Sequence, residues 1–224
     1  MKIKYFVTCF AVAILFNPVS AETHKFKATK GYQTYSKREP VLSINPGDIL
    51  ETNTLYSDFF TAKDGPWPGE VGPIYIEGAT PEDTLVIKII KIRPNIDTGR
   101  SGTSTVYGSL TSTTTTPMLH DPVPSKMFIW KINNQQMTAT LDLPHSRMEK
   151  IQVKLSPMLG RLATAPPDDQ AIPGGVPYNF GGNMDTPEAC EGATVYLPIF
   201  HEGAYFYFGD VHALQGDGEI TGSG

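Results

Sequence analysis

Gly72-Pro73-Ile74-Tyr75-Ile76-Glu77-Gly78-Ala79, closed by Thr80-Pro81-Glu82-Asp83, reads as an apolar strand running into a turn. β-branched and aromatic side chains suit a pleated, half-buried surface, and the flanking glycines and prolines punctuate it. The pattern recurs on both sides. Upstream, Val41-Leu42-Ser43-Ile44 meets the turn Asn45-Pro46-Gly47-Asp48, and residues 49–55 resume in extended character. Immediately downstream, residues 85–92 alternate apolar and polar side chains over part of their length, with Lys88 between Val86 and Ile90. Residues 126–132, 151–155, 194–197 and 204–208 complete the strand candidates. Short strands divided by Gly/Pro turns predict a mainly β chain, a β-sandwich or barrel with at most minor helices.

Two segments read as long loops. Residues 98–125 are rich in Thr, Ser and Gly, including the threonine run 113–116, and are expected to be a surface excursion or a linker. Residues 165–184 carry Pro166-Pro167, Pro173-Gly174-Gly175 and Gly181-Gly182, which allow regular structure only in short pieces.

The first residues read as an export signal. Lys2 and Lys4 precede an apolar run over residues 5–16, and Val19-Ser20-Ala21 supplies a small-residue cleavage site. The run is shorter than the ~20 residues of a membrane span. An uncleaved anchor is the alternative. The expectation is therefore a signal over residues 1–21, one domain over residues 22–224, and a secreted or periplasmic protein without stable membrane association after cleavage. Eighteen basic side chains, Lys2 and Lys4 among them, face 23 acidic ones. Such an acidic balance argues against nucleic acid as a partner. Cys190 is the only cysteine beyond the signal, so no intramolecular disulfide is expected; it reads as a small buried residue.

Chemistry concentrates near the end of the chain. Gly209-Asp210-Val211-His212-Ala213-Leu214-Gln215-Gly216-Asp217-Gly218-Glu219 offers one imidazole and three carboxylates among glycines. If the strand at residues 204–208 continues, Asp210 and His212 share one face, where two ligands converge on one ion. Asp217 and Glu219 repeat the spacing. The alternative is a turn with solvated acids, since Gly-Asp-Gly is ordinary turn chemistry. A second group, Gly181-Gly182-Asn183-Met184-Asp185, pairs Asn183 with Asp185 at the same spacing, and its glycines would let backbone amides approach a substrate oxyanion. Here the alternative is a cap opening a short helix at Pro187. His24, His120, His145 and His201 stand alone and read as surface or satisfied histidines. No Gly-x-Ser-x-Gly elbow supports a serine hydrolase.

Taken together, Gly181-Gly182-Asn183-Met184-Asp185, Tyr196-Leu197-Pro198 and the closing run resemble the acetamidase/formamidase family. Pro40-Val41-Leu42-Ser43-Ile44 with Pro46-Gly47-Asp48, the opening strand with Leu85, and Pro157-Met158-Leu159-Gly160 with Ala165-Pro166 are similar to further blocks, in family order. The resemblance implies a β-rich hydrolase of short amides, of the acetamide and formamide kind, releasing ammonia. It also implies a divalent metal, zinc or calcium. Carried over by position, Asp210, His212 and Glu219 form the catalytic core, and Asp210, His212, Asp185 and Asp217 are the candidate metal ligands. Asn183, Gly182 and Gln215 are the candidate substrate contacts. Two departures stand out. Gly31-Tyr32-Gln33-Thr34-Tyr35 lies where the family has a His-Trp-Gly-like run, and Pro177-Tyr178-Asn179-Phe180 leads into Gly181-Gly182 without the histidine that precedes these glycines in the family. Family members also continue past the Gly-Asp-Gly-Glu block, so the domain is expected to be incomplete at its C-terminus. A catalytically inactive relative that binds a small ligand or metal is the second reading, and a binding protein with a structural Ca²⁺ the third. Homo-oligomerisation is left open.

Overall fold

The computed structural model describes residues 21–56, 67–103, 108 and 124–222. The export signal, the threonine run 113–116 and His120 lie outside these residues. Among the described residues there are fifteen strands and no helix. In chain order they are β1 (Thr23–Phe26), β2 (Thr34–Tyr35), β3 (Leu42–Ile44), β4 (Ile49–Thr52), β5 (Val71–Ile76), β6 (Thr84–Lys88), β7 (Thr98–Thr103) and β8 (Lys126–Asn133). The rest are β9 (Thr138–Leu143), β10 (Glu149–Lys154), β11 (Met158–Ala163), β12 (Ile172–Pro173), β13 (Gly181–Asn183), β14 (Thr194–Pro198) and β15 (Phe206–His212).

A five-stranded sheet in the order β13-β11-β15-β5-β3 forms the centre. β15 runs antiparallel to both β11 and β5, and β3 closes the edge in parallel with β5. Central strands are covered on both faces, which is why β5 and the first half of β15 are nearly continuous apolar runs. Successive side chains of β15 point to opposite faces. Phe206 and Phe208 enter the main core with Val71, Ile74, Leu162 and Leu197, whereas Tyr207 joins Tyr35, Ala163 and Phe180 in a second cluster. β6 and β14 pair with Leu85 opposite Leu197 and Ile87 opposite Val195, packing these four against the main core. Their outer faces leave Val86 and Tyr196 exposed, the alternation expected of a one-sided ribbon.

An antiparallel meander, β10-β9-β8-β7, makes a second sheet. It corrects one expectation. Residues 98–103 belong to no loop: they form β7, in register with β8 from Thr98 opposite Lys131 to Thr103 opposite Lys126. A strand low in apolar residues escapes a hydropathy reading when its partner supplies the packing. Here Trp130 of β8 donates its indole N–H to Ser101 Oγ at 2.8 Å. The segment after Pro187 is a turn, with the Ala189 amide on the Thr186 carbonyl at 2.9 Å, and no helix opens there.

The turn before β4 ties the first strand down. Asp48 accepts the Glu22 amide at 2.9 Å, the Asn45 amide at 2.9 Å and His24 Nε2 at 2.8 Å. The Glu22 amide, then His24, then the Asn45 amide hold its carboxyl well below the usual carboxylate range. A depressed carboxyl contributes stability above its unfolded value, near pH 4, and loses that contribution as pH falls through the folded value. Asp48→Asn is therefore expected to lower the melting temperature at neutral pH. The gap to wild type should narrow steadily below about pH 4, as thermal melts across a pH series would record.

Candidate active site

The site is assembled where three neighbouring strands of the central sheet end. β15 carries Asp210 and His212 in the continued strand, β11 carries Gly160 and Arg161 beside it, and β13 delivers Asn183 opposite Arg161. Past β13 the chain doubles back. The Met184 and Asp185 amides both donate to the Gly160 carbonyl, at 2.9 and 3.1 Å, with Asp185 in the left-handed region at φ 44°. Asp tolerates that region better than most residues. Asp210 also sits there, at φ 51°.

Gly160 keeps the space between these groups open. A Cβ at this position would lie 2.5 Å from Asp185 Oδ1, 2.9 Å from the Asp210 carbonyl and 3.2 Å from His212 Nε2. Asp185, Asp210 and His212 bring one ligand atom each within 4.8 Å of one another. His212 Nε2 is 3.7 Å from Asp185 Oδ1 and 3.5 Å from Asp210 Oδ1. On its other side, Nδ1 is hydrogen-bonded to Gln215 Oε1, and Gln215 Nε2 donates to the Asp185 carbonyl at 2.8 Å.

Arg161 and Glu70 underlie the cluster. Arg161 Nη1 meets Glu70 Oε1 at 2.6 Å, and Nε reaches Asn183 Oδ1 at 2.6 Å and Asp210 Oδ2 at 3.0 Å. Asn183 Nδ2 donates to Asp185 Oδ2 at 2.9 Å. Glu70 is 0% exposed. Trp67 Nε1 donates to the same Oε1 at 3.0 Å, and the Arg161 guanidinium lies 5.0 Å from the Trp67 ring centre. Burial pushes the Glu70 carboxyl up against the opposing pull of Arg161. Burial likewise raises Asp185, with His212 lowering it and Asp210 raising it. For His212, burial works against the imidazolium, but the bond to Asp210 and the charges of Asp210 and Asp185 prevail and hold it above its ordinary value.

Of the residues read from sequence, Asp185, Asp210, His212, Asn183 and Gln215 come together here. Glu219 Oε1 lies 4.0 Å from His212 Nδ1, outside the three-residue cluster. Asp217 is exposed and outside the ligand cluster. The two-residue spacing carried a face only while β15 lasted; after His212 the chain leaves the strand and Gly218 adopts φ 147°, so Asp217 and Glu219 do not extend it. The Gly181 amide is taken by the Tyr178 carbonyl at 3.0 Å, not left for an oxyanion. Side chains at Gly181 and Gly182 would run into the Leu162 and Val176 carbonyls, so close backbone packing accounts for this pair. Cys190 is partly exposed rather than buried. His24 and His201 are satisfied, the latter by the Pro166 carbonyl at 2.7 Å, and His145 is exposed. Arg161 and Glu70 were missed. Their signal was a charged residue inside the apolar run Met158-Leu159-Gly160-Arg161-Leu162-Ala163, and an acid wedged between Gly69 and Val71. Arg161, Asp185, Asp210, His212 and Glu219 all line one cleft of about 1760 Å³.

Residues 168–224 match the model of the acetamidase/formamidase family. The chain is similar to an acetamidase of Mycolicibacterium smegmatis, 27% identical over 195 residues that cover 67% of this chain and 48% of that protein. A formamidase of Methylophilus methylotrophus is 26% identical over 192 residues, covering 67% and 46%. The crystal structure of an acetamidase from Yersinia enterocolitica superposes with a TM-score of 0.74 at 28% identity, covering 92% of this chain and 64% of that one. The chain thus spans about half the length of the curated relatives it matches.

Proposed function

We propose that this chain, whose closing block matches the acetamidase/formamidase family and whose fold superposes on a solved acetamidase, hydrolyses the carbon–nitrogen bond of short amides at a divalent cation held by Asp185, Asp210 and His212. The observation that carries this reading is the convergence of those three ligand atoms within 4.8 Å. Three features of the site fit a cation. Asp185 Oδ1 is buried without a hydrogen-bond partner. The missing side chain of Gly160 leaves room beside it. Two carboxylates and one imidazole form a donor set that suits zinc and, on the oxygen side, calcium. Bound there, the cation would supply Lewis acidity toward the amide carbonyl and lower the pKa of a water.

The chain's own groups do the rest. Gln215 holds Nδ1 of His212, which turns Nε2 toward the carboxylates. Glu219 stands outside the ligand cluster and lines the cleft, and we assign it the proton transfer. It takes a proton from the attacking water as the new carbon–oxygen bond forms. It returns that proton to nitrogen as the carbon–nitrogen bond breaks, so ammonia leaves and a carboxylic acid remains, which then gives its own proton to ammonia or water to become the carboxylate. Asp217, exposed and outside the cluster, is given no ligand role. On the strength of the signal over residues 1–21, the reaction is placed outside the cytoplasm.

Glu219→Gln is expected to lower amide turnover by about 10²–10⁴-fold, the usual range for a general acid–base, with zinc content unchanged. Ammonia assays beside metal analysis would test it, and loss of both would make Glu219 a ligand. A second reading, an inactive relative that retains the metal, draws on one observation: Phe180, in the run that lacks the family's histidine, is packed against Tyr35 at a ring separation of 5.7 Å within the second core cluster.

A further inference from the structure

We infer that Glu70, Arg161 and Asn183 are positioning residues that turn one oxygen of each aspartate, and only one, toward His212 Nε2. The inference rests on the reading of Asp185, Asp210 and His212 as cation ligands. Each carboxylate is held by its far oxygen. Asp210 Oδ2 is ion-paired with Arg161 Nε at 3.0 Å, which leaves Oδ1 facing Nε2 at 3.5 Å. Asp185 Oδ2 takes Asn183 Nδ2 at 2.9 Å, which leaves Oδ1 facing Nε2 at 3.7 Å, buried and without a hydrogen-bond partner. The Asn183 amide is itself oriented, because its Oδ1 accepts Arg161 Nε at 2.6 Å and so its Nδ2 must face Asp185. Arg161 therefore acts on both carboxylates, on Asp210 as an ion pair and on Asp185 through the hydrogen bond to Asn183. Both polar ends of Asn183 are thereby engaged, and its place is beneath the ligands rather than against a substrate.

Glu70 fixes the guanidinium in turn. It offers Oε1 to Arg161 Nη1 and is clamped there by Trp67 Nε1. Glu70 Oε2 fills the space that the missing side chain of Gly209 leaves, so the carboxylate is seated against β15. Buried ion pairs contribute little net stability against apolar replacements, so packing alone is a weak reason for this arrangement. Its geometric consequence is specific. With both Oδ2 atoms occupied, each aspartate would offer a bound cation one oxygen, so that the chain would supply few ligands and leave room for others. A zinc-sized ion with three protein ligands fits that description. Ca²⁺, which takes 6–8 oxygen ligands and readily uses bidentate carboxylates, does not.

The test uses the full chain stripped with chelator, then titrated with Zn²⁺, Ca²⁺ and Co²⁺, the last for its visible spectrum. Wild type is expected to prefer Zn²⁺ and to give the intense bands of a low-coordinate Co²⁺ site. Arg161→Met and Glu70→Ala should each weaken Zn²⁺ binding by about 10–100-fold, the usual effect of losing a partner of a metal ligand. They should also narrow the preference over Ca²⁺ and shift the Co²⁺ bands. Arg161→Lys should rescue little, since an ammonium cannot span both branches. Should a single variant unfold on circular dichroism, the double variant E70Q/R161M, which leaves no buried charge unpaired, carries the same expectation. Wild-type Zn²⁺ affinity and an unshifted Co²⁺ spectrum in folded variants would overturn the positioning role. Failure of the wild-type protein to bind either ion would overturn the metal reading beneath it, a distinct result.

Discussion

Gly160→Ala is expected to abolish cation binding and to cut amide turnover by at least ~10²-fold, the scale on which a displacement of about 1 Å disables a catalytic arrangement. The added methyl would sit 2.5 Å from Asp185 Oδ1, 2.9 Å from the Asp210 carbonyl and 3.2 Å from His212 Nε2. All three ligands would have to move. Asp185 cannot simply rotate away, because its amide is tied to the Gly160 carbonyl and its Oδ2 to Asn183. Stability should suffer less, by the ~1–3 kcal/mol typical of one methyl forced into a packed site. A Zn²⁺ titration beside a thermal melt separates the two effects. Near-normal zinc affinity in a folded Gly160→Ala protein would mean that Asp185 does not face the ion.

Glu70→Ala is expected to cost about 3 kcal/mol or more of folding stability, the penalty for stranding a buried charge by removing its partner. Glu70 is 0% exposed, while the Arg161 side chain is 15% exposed and, among the described residues, has Asp210 as its other carboxylate. Against a total of about 5–15 kcal/mol for a domain, such a loss is large. Urea unfolding measures it directly. Glu70→Gln keeps an acceptor for Trp67 and Arg161 and should cost clearly less. A loss under about 1 kcal/mol for Glu70→Ala, the level of exposed pairs, would mean that water reaches the guanidinium and takes over from the carboxylate.

What could be read from the sequence divides along physical lines. Local patterns carried the strands. The apolar run at residues 204–208 overlaps the start of β15, which opens at Phe206, and its two-residue alternation, extended past Gly209, put Asp210 and His212 on one face. β6 and β14 were legible for the same reason, each having one buried and one exposed side. β7 was not, since Thr-Gly-Arg-Ser-Gly-Thr holds no apolar residue and takes its order from β8. The site divides likewise. Asp185 and His212, 27 positions apart, could be set side by side only through family order, because register across β13, β11 and β15 brings them together. The Glu70–Arg161 pair spans 91 positions and joins a buried acid to a strand that local pattern had not marked as one. No periodicity encodes such a pairing. Asp217 shows the reverse fault, in which alternation was extended beyond the end of the strand that gave it meaning.

The central claim, amide hydrolysis at the Asp185–Asp210–His212 centre, meets its most direct test in one assay. Ammonia release from formamide and acetamide is followed with the purified protein as isolated, after chelation, and after reloading with Zn²⁺. Release that stops on chelation and returns on reloading, and that fails to return in His212→Ala, is the predicted result. A protein that holds its metal at this centre and releases no ammonia from either amide would contradict the claim.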